Sequence, residues 1–180
     1  MKPRIVALLR HGEYDLADHG SFGLTTRGRD QARLAGQWVK GRPVEKLYSS
    51  GIVRAKETAE IISPILGMPY RALNMLGEGV PTAVKGLDAS PETIAEDRAR
   101  MDRAYAKFFT YKEGELYDLI VCHANLIRYF VCKALGVNPR KWTKMVSNHA
   151  SCTEIMISSK GVTRLLSYNE AGYLPHELRT

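Results

Sequence analysis

Residues 5–13 constrain the fold of this chain more than any other stretch. An apolar run over residues 5–9 ends abruptly in Arg10, His11 and Gly12. Such a run predicts a buried parallel strand, and open α/β sheets bind their ligands at the carboxyl ends of such strands. We therefore expect Arg10 and His11 to lie at a ligand-binding edge of a sheet.

The same design recurs later in the chain. An apolar run over residues 119–122 ends in His123 and leads into a helix, and a short strand over residues 46–50 is followed by a helix with Arg54 in its first turn. The sheet edge then gathers four cationic or imidazole side chains, namely Arg10, His11, Arg54 and His123. Arginine forks and helix N-termini bind phosphate oxygens, so the expected ligand carries a phosphoryl group.

The rest of the chain alternates in the same way. Further strands are predicted over residues 70–73, 152–157 and 162–168. Helices are predicted to begin after Thr25, Gly51 and Ser90 and at Leu126, and the third of them to extend to about Tyr111. No internal repeat or linker divides the chain, which predicts one domain over residues 1–180. The alternation favours an α/β fold with a mostly parallel sheet.

Composition excludes several classes of protein. The chain has 180 residues, which is long enough to bury roughly 70% of its unfolded surface. Its 44% of apolar and 25% of charged residues are typical of a globular protein. No apolar run is long enough for a membrane span or an export signal. Three cysteines without metal spacing predict reduced, packed thiols and a cytoplasmic protein. We therefore expect no membrane partner.

The formal charge of +7 raises the question of a polyanionic partner. Its cations are interspersed with acids, and no RNA-binding signature accompanies them, so we expect no nucleic-acid partner. Arginines repel divalent ions and no carboxylate cluster accompanies them, so we expect no metal and no cofactor. The sequence carries no signal for an oligomeric state.

These motifs resemble the histidine phosphatase, or phosphoglycerate-mutase-like, superfamily. The resemblance rests on residues 9–13, on Ser50 with Arg54, Ala55, Glu57 and Thr58, on Glu78, and on residues 122–125. Within the superfamily, residues 77–81, 123–129, 132–135 and 169–175 are most similar to the mitochondrial serine/threonine protein phosphatases. The resemblance implies a three-layer α/β/α fold of the phosphoglycerate-mutase type.

The resemblance also implies catalytic roles. His11 would be the nucleophile that forms a phosphohistidine, and Arg10, Arg54 and His123 would hold the phosphoryl oxygens. Glu78 would protonate the leaving oxygen and later activate water, which requires a raised pKa.

Several residues have two interpretations. Glu78 is either this acid or a solvated loop residue, and Gly77 replaces the arginine that precedes it in the similar subgroup. Asn125 either contacts phosphate or caps the helix beginning at Leu126, and Arg128 is either a pocket residue or a surface cation. The remaining assignments are rim contacts for Tyr14, Ser21 and Phe22 and ordinary polar roles for His149 and His176.

The implied function is that of a metal-independent phosphomonoesterase, and the subgroup favours phosphorylated serine or threonine on a protein. Between Glu78 and Asp118 the sequence offers one helix and short connections, which favours an open cleft over the lid that a mutase needs. The alternatives are a small-molecule phosphatase, a phosphohistidine phosphatase, a phosphoglycerate mutase, and a module that binds phosphate without turnover. A regulatory thiol at Cys122 is weighed against simple packing.

Overall fold

The computed structural model describes residues 2–17, 22–114 and 116–180. Within these ranges six strands form one sheet in the order β3-β2-β4-β1-β5-β6. The strands are β1 (Arg4–Arg10), β2 (Lys46–Ser50), β3 (Tyr70–Leu73), β4 (Tyr117–Cys122), β5 (Cys152–Ile157) and β6 (Thr163–Glu170). Strands β3, β2, β4 and β1 run parallel, and β5 and β6 continue the sheet antiparallel.

Strand register determines what lies at the sheet edge. Arg10 at the end of β1 is paired with Cys122 at the end of β4, so His11 and His123 are neighbours. Strand β2 ends beside β4, where Ser49 pairs with Val121. Because β5 is antiparallel to β1, its first residue Cys152 pairs with Leu9, and the segment before β5 reaches the same edge.

Four longer helices cover the sheet: α1 (Thr26–Val39), α2 (Val53–Leu66), α3 (Pro91–Phe108) and α4 (Ala124–Ala134). Side chains alternate along β1, so Val6 and Leu8 are buried in the cluster formed with α3 and α4, while Ala7 and Leu9 are buried in the cluster formed with α1 and α2. The three-layer α/β/α prediction is therefore confirmed. Short 3₁₀ turns lie at Asn74–Leu76, Pro139–Lys144 and His176–Leu178.

Element boundaries agree with the sequence for β2, β3 and β5. Strand β6 covers Thr163–Glu170 rather than residues 162–168, and two helix ends also differ. Helix α3 ends at Phe108 rather than near Tyr111, and the Thr110 hydroxyl donates to the Ala106 carbonyl in its last turn. Helix α4 begins at Ala124 rather than Leu126, with His123 as its N-cap residue. The suggestion that Asn125 caps this helix is therefore wrong. Across the described ranges, none of the helices is long and apolar enough to cross a membrane.

Candidate active site

The residues singled out by the sequence meet at the carboxyl edge of the parallel strands. His11 follows β1 and His123 follows β4, and the centroids of their rings lie 5.1 Å apart. Arg54 comes from the first turn of α2, and its Nε donates to His11 Nε2 over 3.0 Å. Three separate segments thus place two imidazoles and a guanidinium within one small volume.

Close backbone packing fixes the segment that carries His11. Gly12 packs against Gly28 of α1, where a Cβ on either glycine would overlap backbone of the other segment. The Gly12 N–H donates to the Thr58 hydroxyl over 3.1 Å, and Thr58 in turn donates to the Arg54 carbonyl. The turn after β1 is therefore held by both α1 and α2.

Hydrogen bonding assigns the tautomer of His11. Arg54 Nε is a donor, so His11 Nε2 must accept, and Nδ1 carries the ring proton, which it donates to the Gly12 carbonyl over 2.8 Å. Burial, with contributions from His123 and the two arginines, lowers the pKa of His11 well below its ordinary value. The ring is therefore neutral near pH 7, with its lone pair on Nε2.

His123 lies on the other side of His11 and is also buried. Its Nε2 is 2.9 Å from the Ser50 hydroxyl, while Ser50 Oγ accepts the Ile52 N–H. Burial is the main cause that lowers the pKa of His123 to about 3, and Arg54 and Arg10 act in the same direction. Among the described residues His123 Nδ1 has no hydrogen-bond partner, and the same is true of Arg10 Nε and Ser147 Oγ. Buried polar atoms without partners are rare, and the two nitrogens among these three, His123 Nδ1 and Arg10 Nε, are N–H donors that an oxyanion could satisfy.

Arg10 is held by residues 147–149, the segment just before β5. Its guanidinium donates to the Ser147 carbonyl and, over 2.7 Å, to His149 Nε2. Nδ1 of His149 lies 3.0 Å from the Thr180 hydroxyl, and the His149 ring centroid is 5.7 Å from that of His11. Burial lowers the pKa of His149 to about 4, with Arg10 the next cause, so the ring is a neutral acceptor. The prediction that His149 is an ordinary polar residue is wrong.

One signal could have revealed His149. A strand antiparallel to β1 has to begin where β1 ends, which brings the residues before β5 to His11. Consistent with this, the Ala150 N–H donates to the His11 carbonyl over 3.1 Å. His176, by contrast, is exposed on the last 3₁₀ turn.

Tyr14 lies against the candidate nucleophile, as expected of a rim residue. Its ring meets the His11 ring edge-on at a centroid distance of 5.2 Å. The Arg54 guanidinium lies over the Tyr14 ring, 4.5 Å from the ring centroid. Phe22 is partly exposed, and Ser21 lies outside the described residues. Tyr14 therefore borders both His11 and Arg54.

Glu78 is turned into the site and is not a solvated loop acid. Its Oε1 accepts the Asn125 N–H over 3.1 Å, at the first turn of α4. Burial raises the pKa of Glu78, and this outweighs the lowering influence of Arg54, of the Asn125 hydrogen bond and of Arg10. A cavity of about 380 Å³ lies on the Glu78 side and is lined in part by Asn74, Asp97 and Arg100.

Asn125 and Arg128 support the Glu78 loop. The Asn125 side-chain amide donates to the Gly79 carbonyl over 3.0 Å, and its oxygen accepts from Arg128. Arg128 also donates to the Ala124 and Met145 carbonyls, and its guanidinium lies over the Trp142 ring. The Asn125 side chain therefore binds the Gly79 carbonyl and Arg128. Arg128 is half-buried and links α4 to Met145 and Trp142, so it is not a surface cation.

The three cysteines of the chain are buried and free. Cys122 is buried, and burial raises the pKa of its thiol, which favours packing over a regulatory role. Across residues 2–17, 22–114 and 116–180, no group of three or more His, Cys, Asp or Glu side chains could hold a metal ion.

Comparison with known proteins places this site in a family. The family model of the histidine phosphatase superfamily (branch 1) matches residues 6–90 and 82–171. The serine/threonine-protein phosphatase Pgam5, mitochondrial, of Drosophila grimshawi is 37% identical over 99% of this chain and 67% of its own length. The Caenorhabditis elegans protein of the same name is 37% identical over 96% of this chain and 64% of its own length. The chain thus spans about two thirds of these relatives.

Solved structures agree with this result. A phosphoglycerate mutase from Plasmodium falciparum superposes with a TM-score of 0.70 at 25% identity, covering 98% of this chain and 96% of the other. The expectation of a cytoplasmic protein is wrong in the light of the relatives, which are named as mitochondrial. That expectation relied on reduced cysteines, and buried thiols do not distinguish one reducing compartment from another.

Proposed function

The chain belongs to the histidine phosphatase superfamily (branch 1), and from that membership we propose that it hydrolyses phosphomonoesters through a phosphohistidine on His11. One observation carries the proposal. His11 is fixed as the neutral tautomer with its lone pair on Nε2, between Arg54 and His123, by the bond from Nδ1 to the Gly12 carbonyl. A neutral imidazole in this tautomer needs no base before it attacks phosphorus.

In the first step His11 Nε2 attacks phosphorus as the ester oxygen leaves, so that the N–P bond forms and the P–O bond breaks. Before this attack, Arg54 Nε exchanges its bond to Nε2 for one to a non-bridging oxygen of the bound ester, which frees the Nε2 lone pair. Arg10 and His123 offer the buried donors Nε and Nδ1 to the other oxygens. Fixed donors aimed at the phosphoryl group stabilise charge in an in-line transition state without reorganisation.

Glu78 supplies the proton for the leaving oxygen. Its raised pKa keeps a larger fraction of the carboxyl protonated than in water, which a general acid requires. In the second step the resulting carboxylate takes a proton from water as the water attacks phosphorus, so that a P–O bond forms, the N–P bond breaks and the electron pair returns to His11 Nε2. Inorganic phosphate leaves, and Glu78 is again protonated.

We propose phosphorylated serine or threonine on a protein as the substrate class. The relatives that cover nearly the whole chain are named as serine/threonine-protein phosphatases. In the described part of the segment between Glu78 and Asp118, α3 is the only long helix, so the Glu78 side of the site has little that could close as a lid. We further propose that residues 1–180 form one domain, since the six strands of the described residues belong to a single sheet.

The competing substrates are small phosphomonoesters, phosphohistidine on a partner protein, and bisphosphoglycerate in a mutase reaction. They share the covalent step and differ in the leaving group and in the fate of the phosphoryl group. A non-catalytic module would bind phosphate at the same donors without forming the N–P bond.

The test compares kcat/KM in metal-chelated buffer for a phosphothreonine peptide and for 3-phosphoglycerate, with His11→Ala as the inactive control. We expect the peptide to be preferred and the variant to release no phosphate. A preference for 3-phosphoglycerate would overturn the protein substrate and retain the chemistry. Phosphate binding without release by the wild-type protein would establish the non-catalytic module.

A further inference from the structure

Two charged residues on α3 bind the backbone of the loop that carries Glu78. Arg100 Nη1 donates to the Gly77 carbonyl over 2.6 Å, and its Nη2 donates to the Glu78 carbonyl over 2.8 Å. Asp97, one turn earlier, accepts the Val80 N–H over 2.8 Å and pairs with Arg100 at 2.6 Å. Hydrogen bonds to two carbonyls and one amide of residues 77–80 therefore fix this loop to one face of α3.

The fork of the arginine explains this arrangement. A guanidinium presents its donors in a fixed plane, so one side chain contacts two neighbouring carbonyls and a carboxylate at once. Both residues are only about one-fifth exposed at their side chains, which limits competition from water. The ion pair with Asp97 sets the plane in which Arg100 points at the loop.

The loop needs an external support of this kind. Glu78 is flanked by Gly77 and Gly79, and glycine leaves a backbone with many accessible conformations. A Cβ on Gly79 would overlap the Asp97 carboxylate, so a larger residue there would displace that carboxylate from its contacts with Val80 and Arg100. The other side of the loop is held by α4, where the Asn125 side chain donates to the Gly79 carbonyl.

We propose that Arg100, oriented by Asp97, is a positioning residue that places the Glu78 carboxyl group at the leaving-group oxygen. This inference rests on the proposed function and extends it to a residue whose hydrogen bonds go to the backbone of the Glu78 loop and to Asp97. Arg100 acts on the Glu78 backbone, whereas Arg10, Arg54 and His123 act on the phosphoryl group. Its loss therefore affects proton transfer to the leaving group rather than phosphate binding.

Substrates with different leaving groups distinguish a loss of proton transfer from a loss of phosphate binding. An alkoxide such as that of serine or threonine requires protonation as it departs, whereas 4-nitrophenolate is stable without a proton. A misplaced general acid therefore slows a phosphothreonine peptide far more than 4-nitrophenyl phosphate. Because kcat/KM reports the steps up to the first irreversible one, it isolates the attack on the ester from the later hydrolysis of phosphohistidine.

The experiment measures kcat/KM on both substrates for the wild-type protein, Arg100→Met and Arg100→Lys. Arg103→Met is the matched control, since Arg103 is an exposed arginine on the same helix. We expect Arg100→Met to lose about 10- to 100-fold on the peptide, with a loss on 4-nitrophenyl phosphate at least tenfold smaller. Arg100→Lys keeps the charge but lacks the planar fork of donors. It should therefore also lose more activity on the peptide than on 4-nitrophenyl phosphate.

A double-mutant cycle tests whether Arg100 acts through Glu78. In the Glu78→Gln background, Arg100→Met should cost less than threefold on the peptide, because the acid is already absent. Competitive inhibition by inorganic phosphate should change by less than about twofold in Arg100→Met, since the phosphate donors are untouched.

Three results would overturn the inference alone: equal losses on the two substrates, additive losses in the double variant, or weakened inhibition by phosphate. A wild-type protein that hydrolyses neither substrate would instead refute the proposed function, and the inference with it. Thermal melting of each variant checks folding. Should Arg100→Met be unfolded at the assay temperature, the comparison of Arg100→Lys with Arg103→Met decides between the outcomes.

Discussion

Acid should destabilise this protein through its buried histidines, and His123 gives the clearest measure. Its pKa is about 3 in the folded chain against 6.5 for an ordinary histidine, because burial opposes the charged ring. At pH values between these two pKa values, His123 is therefore protonated in the unfolded chain and neutral in the folded chain. The stability that His123 contributes is complete above the unfolded pKa and is lost as pH falls from there toward the folded pKa.

The size of this loss follows from the two pKa values. On going from about pH 8 to about pH 5, protonation of His123 in the unfolded chain lowers the free energy of unfolding by about 2 kcal/mol. Urea unfolding of the wild-type protein and of His123→Asn at both pH values isolates the contribution of His123 to the free energy of unfolding. Asparagine keeps a polar group beside Ser50, and titrations elsewhere cancel in the comparison.

We expect the wild-type protein to lose about 2 kcal/mol more than His123→Asn over this pH interval. Equal losses in the two proteins, within the error of the extrapolation to zero urea, would show that His123 titrates normally in the folded chain. The reasoning that assigns neutral rings to this site would then fail.

Three further predictions concern the site. His149→Ala removes a hydrogen bond to the Arg10 guanidinium, and a charge-assisted bond of about 1.5 kcal/mol corresponds to roughly tenfold weaker inhibition by inorganic phosphate; an unchanged inhibition constant would contradict this. Glu78→Gln should lower kcat/KM for a phosphothreonine peptide by about 10²- to 10⁴-fold, and activity within threefold of wild type would remove its role as acid. Gly79→Ala should lower the melting temperature, because its Cβ would overlap Asp97, and a temperature equal to that of wild type would show that the loop moves freely.

Local patterns were sufficient for most of the scaffold. Strands β2, β3 and β5 have the predicted bounds, because apolar runs between turn residues leave few other ways to bury their side chains. The start of α4 differs for an identifiable reason. The Asn125 N–H in its first turn is satisfied by the Glu78 carboxylate, which lies 47 residues away, and no local capping side chain marks the boundary.

In the site, too, local patterns predicted some residues and distant contacts determined the others. Arg10, His11, Arg54 and His123 were recognisable because each ends a strand, directly follows one, or lies in the first turn of a helix. His149 was missed because it reaches the site only through the antiparallel pairing of β5 with β1. The local pattern of α3 does not distinguish Asp97 and Arg100 from the solvated charges of an amphipathic helix, and only tertiary packing brings that face against the Glu78 loop. Register and packing across distant segments determine these contacts, and a local pattern does not contain them.

The central claim is that His11 carries the phosphoryl group during turnover, on the ring nitrogen that the Gly12 carbonyl leaves free. Rapid quenching in alkali during hydrolysis of a phosphothreonine peptide, followed by phosphorus NMR and peptide mapping, locates the phosphoryl group directly. His176→Asn serves as the labelling control, because His176 is exposed and distant from the sequence motifs of the site. The account predicts phosphate on Nε2 of His11, present in the control and absent from His11→Asn. Phosphate on Nδ1, on another histidine, or on no residue of an active enzyme would contradict it.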